Sequence, residues 1–223
     1  RRQADMLREH GHTVNTYERR NSEFSSKPLS GRLLGFREVI WSKSSVADIQ
    51  AQIDEWRPDV MHVHNFWMVL SPSIFRAARE KGVATVINLN NYRLAGCLTL
   101  MLRRGVPCEL CVGRKPWRGL MYRCYGGSFV RSVAKYLMLE HCRKSGVWQT
   151  DIDAFVCPTV FSRGKMKSNG LPPRKLHIMP DIVPDPFDEG VPAPVGRGAI
   201  AVGRLSPEKG LKTLLKAWKG IDY

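Results

Sequence analysis

Two cationic side chains near the end of the sequence lie where they could hold an anion. The stretch AVGRLSPEKGLKTLLKAW, residues 201–218, predicts a strand, a turn and a helix, with Ser206 as the N-cap and Pro207 in the first helical position. The first backbone N–H groups of a helix lack intrahelical acceptors and carry partial positive charge. Because Arg204 and Lys209 flank these groups, the segment predicts a binding site for a phosphate-like anion.

Histidine and asparagine side chains follow two apolar stretches that are typical of strands. DVMHVHN ends at His64 and Asn65, and VINLNNYR contains Asn90 and Asn91. Open α/β sheets bind ligands at the carboxyl ends of their strands. Strand alternation places His62 and His64 on one face. The residues by themselves leave open whether these histidines bind a metal, pack or form hydrogen bonds.

Four cysteines are spaced so that they could surround a metal ion. Cys108 and Cys111 form a C-x-x-C pair, with Cys97 eleven positions before it and Cys124 thirteen positions after it. Four thiolates can bind zinc tetrahedrally, so we predict a structural zinc site. Disulfides, or reduced thiols without a shared role, are the alternatives. Cys142 lies in a predicted helix and is expected to be structural.

Positive charge is concentrated around these cysteines. The 223 residues carry a formal net charge of +15, and the segment from 93 to 144 contains eleven Lys or Arg residues against two acidic ones. Such a balance is typical of proteins that bind nucleic acid, an anionic membrane or a phosphorylated ligand, although a solvated basic face would produce it too. No apolar run approaches the ~20 residues that span a bilayer.

An alternation of helices and strands predicts the fold that must position these residues. Strands are expected at Thr13–Glu18, in the apolar stretches DVMHVHN, VATVINLNN, DAFVCPT and KLHIMP, and at Ala199–Val202. The expected helices cover residues 3–10, 46–56, 72–81, 128–144 and 160–168. This order is typical of an α/β protein with a doubly wound parallel sheet. Polar residues 20–36 predict a loop, and the proline-rich residues 181–198 predict a linker.

The last part of the chain also resembles a known family. VGRLSPEKGLKTLLKAW is similar to the opening of the donor-binding domain of family 4 glycosyltransferases, which are retaining enzymes of the GT-B fold. In that family the Arg and Lys of a G-R-x-x-x-E-K-G segment hold the diphosphate of a nucleotide-sugar, and Arg204 and Lys209 match these positions. Members of one subgroup carry a similar C-x-x-C insertion after an H-N-Y-like segment.

The resemblance covers nearly the whole chain and implies two Rossmann-like domains. The expected parts are an acceptor-side domain at 1–180 that lacks its first strand and carries the cysteine insertion at 93–125, a linker at 181–198, and the truncated beginning of the donor domain at 199–223. The sequence is therefore expected to be a fragment of a larger enzyme and to lack transferase activity alone.

The implied function is transfer of a hexosyl-type sugar from a nucleotide-sugar to an acceptor hydroxyl, with retention, in glycan or glycolipid biosynthesis. The resemblance requires no catalytic cofactor, because the cations at the donor site would stabilise the leaving diphosphate. It identifies no catalytic residue. It favours cleft-lining roles for His64, Asn65, Asn90 and Asn91. Asn90 departs from the family, which commonly has histidine there, and an amide forms hydrogen bonds but does not titrate.

Two other functions remain open at this point. One is a zinc-containing basic module that binds nucleic acid, and the other is an inactive fragment that binds sugar nucleotides. A single C-x-x-C pair and the long alternation of strands and helices count against the first, so nucleic acid is not expected as a partner. The expected partners are a nucleotide-sugar donor and a glycan or lipid-linked acceptor. The basic stretch would face an anionic membrane or a diphosphate-linked lipid acceptor, and the expected location is cytoplasmic, with membrane association at the inner face as an option.

Overall fold

Four parallel strands form the sheet around which the structure is built. The computed structural model describes residues 2–20, 37–181, 196 and 199–221. Its strands are β1 (Val60–Val63), β2 (Ala84–Asn88), β3 (Leu102–Arg103), β4 (Val106–Pro107), β5 (Ala154–Cys157) and β6 (Leu176–Ile178). The main sheet has the order β1-β2-β5-β6 with every pair parallel, and β3 and β4 form a separate antiparallel pair. The predicted α/β class with a parallel sheet is confirmed.

Helices connect and flank these strands. They are α1 (Arg2–Glu9), α2 (Lys43–Trp56), α3 (Ser73–Glu80), α4 (Arg118–Met121), α5 (Phe129–Ser145), α6 (Val147–Thr150), α7 (Val160–Ser168) and α8 (Leu211–Ala217). Residues 37–40 form a further helical turn, and Pro173–Lys175 and Pro207–Lys209 are 3-10 turns. Among the described residues, no helix is both long and apolar enough to cross a membrane.

Local capping explains why the predicted helices begin and end close to their expected bounds. The Ser128 side chain accepts the backbone N–H of Arg131 at the start of α5, and Gly146 ends that helix in the left-handed region at φ 71°. Thr159 and Ser162 form a reciprocal capping box at the start of α7. Each cap satisfies helix-end groups that would otherwise lack a partner.

A hydrophobic core fills the space between the sheet and its helices. Phe75 of α3, Met138 of α5, Phe155 of β5 and Met166 of α7 have no exposed side-chain surface, and Ile87 of β2 is also buried. These residues come from separate parts of the chain, so the core depends on the parallel topology. This packing fixes the ends of the strands relative to one another.

Two of the predicted strands are wrong. Residues 13–18 and 199–202 form no strand, and the side chains of Ile200 and Val202 are about nine-tenths exposed. An apolar segment becomes a strand only when a neighbouring strand pairs with its backbone groups, and the described residues provide no neighbour for either segment. The loop predicted at 20–36 and the linker predicted at 181–198 lie almost entirely outside the described residues.

The predicted helix after Ser206 forms in two pieces. Ser206 precedes the 3-10 turn Pro207–Lys209, and Gly210 follows it in the left-handed region at φ 68° before α8 begins. The Ser206 hydroxyl makes no capping bond. It donates instead to Oε1 of Glu208 at 2.6 Å. The prediction placed the N-cap position correctly, but its side chain binds a neighbouring carboxylate.

A lysine on α5 is completely buried. The Lys135 side chain has no exposed surface, its Nζ has no hydrogen-bond partner, and this atom lies 4.5 Å from the centroid of the Trp67 ring. Burial, together with the positive charge of Arg93, lowers the pKa of Lys135 from 10.5 to about 7. Burying a charged amine without an acceptor destabilises the folded state.

Replacing Lys135 by methionine should therefore stabilise the protein. Methionine retains an unbranched apolar stem against Trp67 and removes the amine. Because the pKa of Lys135 is lower in the folded chain than in the unfolded chain, the folded state binds fewer protons. The destabilisation is complete below about pH 7 and disappears as the pH rises towards 10.5. Thermal unfolding followed by circular dichroism should give Lys135→Met a higher Tm than wild type near neutral pH, with a smaller difference in alkaline buffer.

Lys144, an exposed lysine on the same helix, supplies the control. Lys144→Met should change the Tm little under either condition, because it removes no buried charge. A Tm for Lys135→Met that is equal to or below that of wild type near neutral pH would contradict the prediction.

Candidate functional site

The parallel pairing of β1 with β2 brings polar residues together at one edge of the sheet. His62 lies beside Val86, and Val63 lies beside Ile87, so both strands end at the same edge. The rings of His62 and His64 stack with their centroids 4.8 Å apart. The two histidines lie on one face, as strand alternation predicted.

Asn88, the last residue of β2, connects the two histidines. Its Oδ1 is 2.8 Å from Nε2 of His62, and its Nδ2 is 3.3 Å from Nδ1 of His64. The same Nδ2 donates to Gln3 of α1 at 3.3 Å. In this arrangement His64 accepts at Nδ1, which places its proton on Nε2. The sequence left metal binding, packing and hydrogen bonding open for His62 and His64, and in the structure both histidines form hydrogen bonds.

Histidine 64 is uncharged at neutral pH in this setting. Burial lowers the pKa of His64, and the neighbouring His62 lowers it further. A neutral imidazole can donate from Nε2 to a hydroxyl oxygen without introducing charge. His64 is therefore suited to binding a polar, uncharged group.

Arg93 links the segments that follow β1 and β2. Its Nη1 donates to Oδ1 of Asn65 at 2.5 Å and to the carbonyl oxygen of Trp67 at 3.4 Å. Its backbone N–H donates to Oδ1 of Asn91 at 3.1 Å. With Oδ1 of each asparagine engaged, the amide nitrogens of Asn65 and Asn91 remain as hydrogen-bond donors.

A small cavity that is open to solvent lies at this edge of the sheet. His64, Asn65 and Asn91 line it, together with Trp67 and Arg93. The structure thus brings three of the predicted side chains together. Asn90 belongs to the same loop, but it is exposed and is not among the lining residues. Arg204 and Lys209 do not line the cavity either.

Four residues at or near this site were missed in the sequence: Trp67, Asn88, Arg93 and Lys135. Asn88 had a detectable signal, because it is a polar residue at the end of an apolar strand. Arg93 ends the stretch VINLNNYR, but in the sequence its only signal is its contribution to the positive charge of the segment from 93 to 144. The burial of Lys135 had no local signal, because charged residues on a helix are normally exposed.

Arg204 interacts with a carboxylate of its own segment. Its Nη2 lies 3.4 Å from Oε1 of Glu208, and its side chain is 76% exposed. The hydrogen bond from Ser206 lowers the pKa of Glu208, so that this carboxylate is ionised at neutral pH. A bound anion would compete with Glu208 for Arg204. The anion site at Arg204 and Lys209 stays a prediction.

The cysteine loop, residues 93–125, gathers its four cysteines in one region. Cys108, Cys111 and Cys124 line a second small cavity that is open to solvent. Cys97 is buried beside Gly119, where an added Cβ would lie 2.5 Å from the Cys97 sulfur. All four are free thiols. The disulfide alternative is absent from this structure.

Burial disfavours the ionised form of three of these thiols. It raises the pKa of Cys97 to about 12 and also raises the pKa values of Cys111 and Cys124. Within the described residues, no three His, Cys, Asp or Glu side chains are arranged so that they could hold a metal ion. The four cysteines converge without forming a ready set of ligands. The zinc site stays a prediction.

Metal analysis tests this prediction. If zinc binds Cys97, Cys108, Cys111 and Cys124, protein purified under reducing conditions should contain about one zinc per chain, and Cys108→Ser should lose it. Cys142→Ser should retain zinc, because Cys142 is buried on α5 with its sulfur 3.8 Å from that of Met138. Reduced wild-type protein that contains no zinc would rule out the site.

Comparisons with known proteins agree with the fold. A family model described as a glycosyl transferase 4-like domain matches residues 1–181. A glycogen synthase from Chlorobium phaeovibrioides (strain DSM 265 / 1930) is 26% identical over 102 residues, which cover 43% of this chain and 21% of that relative's length. No solved structure matches the chain significantly. Since the family model covers most of the chain, the protein belongs to the family of glycosyl transferase 4-like domains.

Proposed function

We propose that residues 1–180 are the acceptor-side domain of a retaining glycosyltransferase and that residues 199–223 begin its nucleotide-sugar donor domain. The enzyme would move a hexosyl-type sugar from a nucleotide-sugar to an acceptor hydroxyl, in glycan or glycolipid biosynthesis. One observation carries the proposal: the polar cavity at the carboxyl ends of β1 and β2 lies where open α/β sheets bind ligands.

The cavity has the chemistry needed to bind sugar hydroxyls. Nε2 of His64 and the amide nitrogens of Asn65 and Asn91 are uncharged donors on one rim. Arg93 holds Oδ1 of Asn65, which orients its amide before an acceptor arrives. Such preorganisation lowers the entropy lost when the substrate is positioned. Asn90, exposed on the same loop, would contact the acceptor only at the rim.

On the donor side, Arg204 and Lys209 would stabilise the diphosphate that leaves as the sugar is transferred. Both are cations on one short segment, and the leaving group gains negative charge in the transition state. Arg204 would exchange Glu208 for the diphosphate. This role needs no catalytic metal. No side chain is assigned as a catalytic acid or base.

The basic segment 93–144 would face an anionic membrane or a lipid-linked acceptor at the cytoplasmic side. The exposed side chains of Trp117, Met121 and Tyr122 lie in the same segment as its cations. Aromatic and cationic side chains together favour the interface of an anionic bilayer. The contact would be peripheral.

Substitutions at the donor segment test the proposed function. In the enzyme that contains both domains, Arg204→Ala or Lys209→Ala should each reduce transition-state stabilisation by about 2–4 kcal/mol, as expected for loss of one preorganised charged donor. This corresponds to a decrease in kcat/KM of roughly 30- to 1000-fold. Lys212→Ala, which removes an exposed lysine from α8, should leave kcat/KM close to that of wild type.

The outcomes separate the three candidate functions. Unchanged kcat/KM in both variants would show that Arg204 and Lys209 do not bind the donor. Binding of a nucleotide-sugar without any turnover would identify an inactive sugar-nucleotide binder. Tight binding of duplex DNA or RNA at about 0.15 M salt would favour the nucleic-acid module instead.

A further inference from the structure

We propose that the cavity at the ends of β1 and β2 also binds a phosphate group of the acceptor, with Arg93 as its contact and Lys135 as a second, nearby positive charge. The inference rests on the proposed function, because it takes this cavity as the acceptor site. It extends that function by naming the chemical class of the acceptor, a phosphorylated sugar or lipid.

The first observation is a set of buried hydrogen-bond donors without acceptors. Nε of Arg93 is buried and has no hydrogen-bond partner, although Nη1 of the same side chain is engaged by Asn65. The indole N–H of Trp67, which is 3% exposed, approaches the Tyr125 hydroxyl without reaching hydrogen-bonding geometry. Nζ of Lys135 also lacks an acceptor. Buried donors without partners are rare in folded proteins, and each one requires a physical explanation.

The second observation is that no carboxylate neutralises these cations. Within the described residues, neither Arg93 nor Lys135 takes part in an ion pair. The buried Asp151 is instead bound by Arg76 at 2.6 Å and by Arg79 at 3.1 Å. The fold therefore pairs a buried carboxylate twice and leaves two neighbouring cations without a counterion. A dianionic group would balance the charge of Arg93 and would favour the protonated form of Lys135.

The third observation concerns position. Arg93 and Trp67 line the cavity beside the donors that suit sugar hydroxyls, His64 and Asn91. Lys135 lies against the Trp67 ring and is not among the lining residues, so it would act on the anion through its charge. A phosphate oxygen can accept from the Arg93 guanidinium in a strong, charge-assisted hydrogen bond.

The unpaired state of these cations destabilises the folded chain. Arg93 repels the Lys135 ammonium, and burial disfavours its charge. Strain of this kind persists in folded proteins mainly at functional sites, where a ligand relieves it. A bound phosphate would give Arg93 an acceptor and would attract the proton of Lys135.

Calorimetric titration of the 223-residue chain tests the inference at constant ionic strength. The probes are a hexose 1-phosphate, the corresponding uronic acid and the neutral hexose. Wild type should bind the phosphate more tightly than the carboxylate, and the neutral sugar least. Arg93→Gln should weaken phosphate binding at least tenfold, because it removes the charged donor at the cavity wall.

Two further variants distinguish binding from folding. Lys135→Met should weaken phosphate binding severalfold and should also raise the Tm. If Lys135 had only a structural role, its replacement would not produce both effects together. Arg174→Gln removes the same charge from an exposed position in the 3-10 turn Pro173–Lys175, outside the segment 93–144, and its affinity should equal that of wild type.

Equal phosphate affinity in wild type and Arg93→Gln would overturn the inference, and so would tighter binding of the uronic acid than of the phosphate. A loss of affinity in Arg174→Gln as large as that in Arg93→Gln would show nonspecific charge attraction and would also overturn it. The proposed function fails separately, when the two-domain enzyme transfers no sugar to any acceptor.

Discussion

The parallel pairing of β1 with β2 is the constraint on which the candidate site depends. His62 pairs with Val86 in a parallel register, so the residues that follow β1 and β2 lie at the same edge of the sheet. Asn88 therefore contacts both His62 and His64. An antiparallel pair would place the end of β2 beside the start of β1. The cavity and the bridge from Arg93 to Asn65 exist only because both strand ends open onto the same side of the sheet.

The buried charges of this chain are neutralised to different degrees. Asp151 is buried and receives two arginines, whereas Lys135 is buried with an aromatic ring and no counterion. A cation over an indole ring recovers part of the lost hydration, but less than a carboxylate or phosphate would supply. Natural proteins often retain such destabilising residues where binding requires them. Lys135→Met therefore tests whether the buried amine lowers the stability of the folded chain and raises its affinity for phosphate.

Prediction from sequence succeeded where the signal was local. The helices predicted at 46–56, 128–144 and 160–168 all form, and the cap residues Ser128 and Thr159 begin the latter two. It failed at Ala199–Val202, where four small or apolar residues resembled a strand. Strand formation requires a partner backbone, which a local pattern cannot supply. The cysteine spacing located one shared region, but it did not determine whether the thiols form a complete set of metal ligands.

The sequence by itself determined the alternation of helices and strands, and with it the α/β class and the strand ends at which polar residues collect. It also carried the motif at Arg204 and the family resemblance. Only the tertiary structure decided that Arg93 would bind Asn65 across 28 positions, and that Lys135 would lie buried against Trp67. Helix and strand signals depend on neighbours within a few positions, whereas burial and charge pairing depend on which distant segments the core packs together.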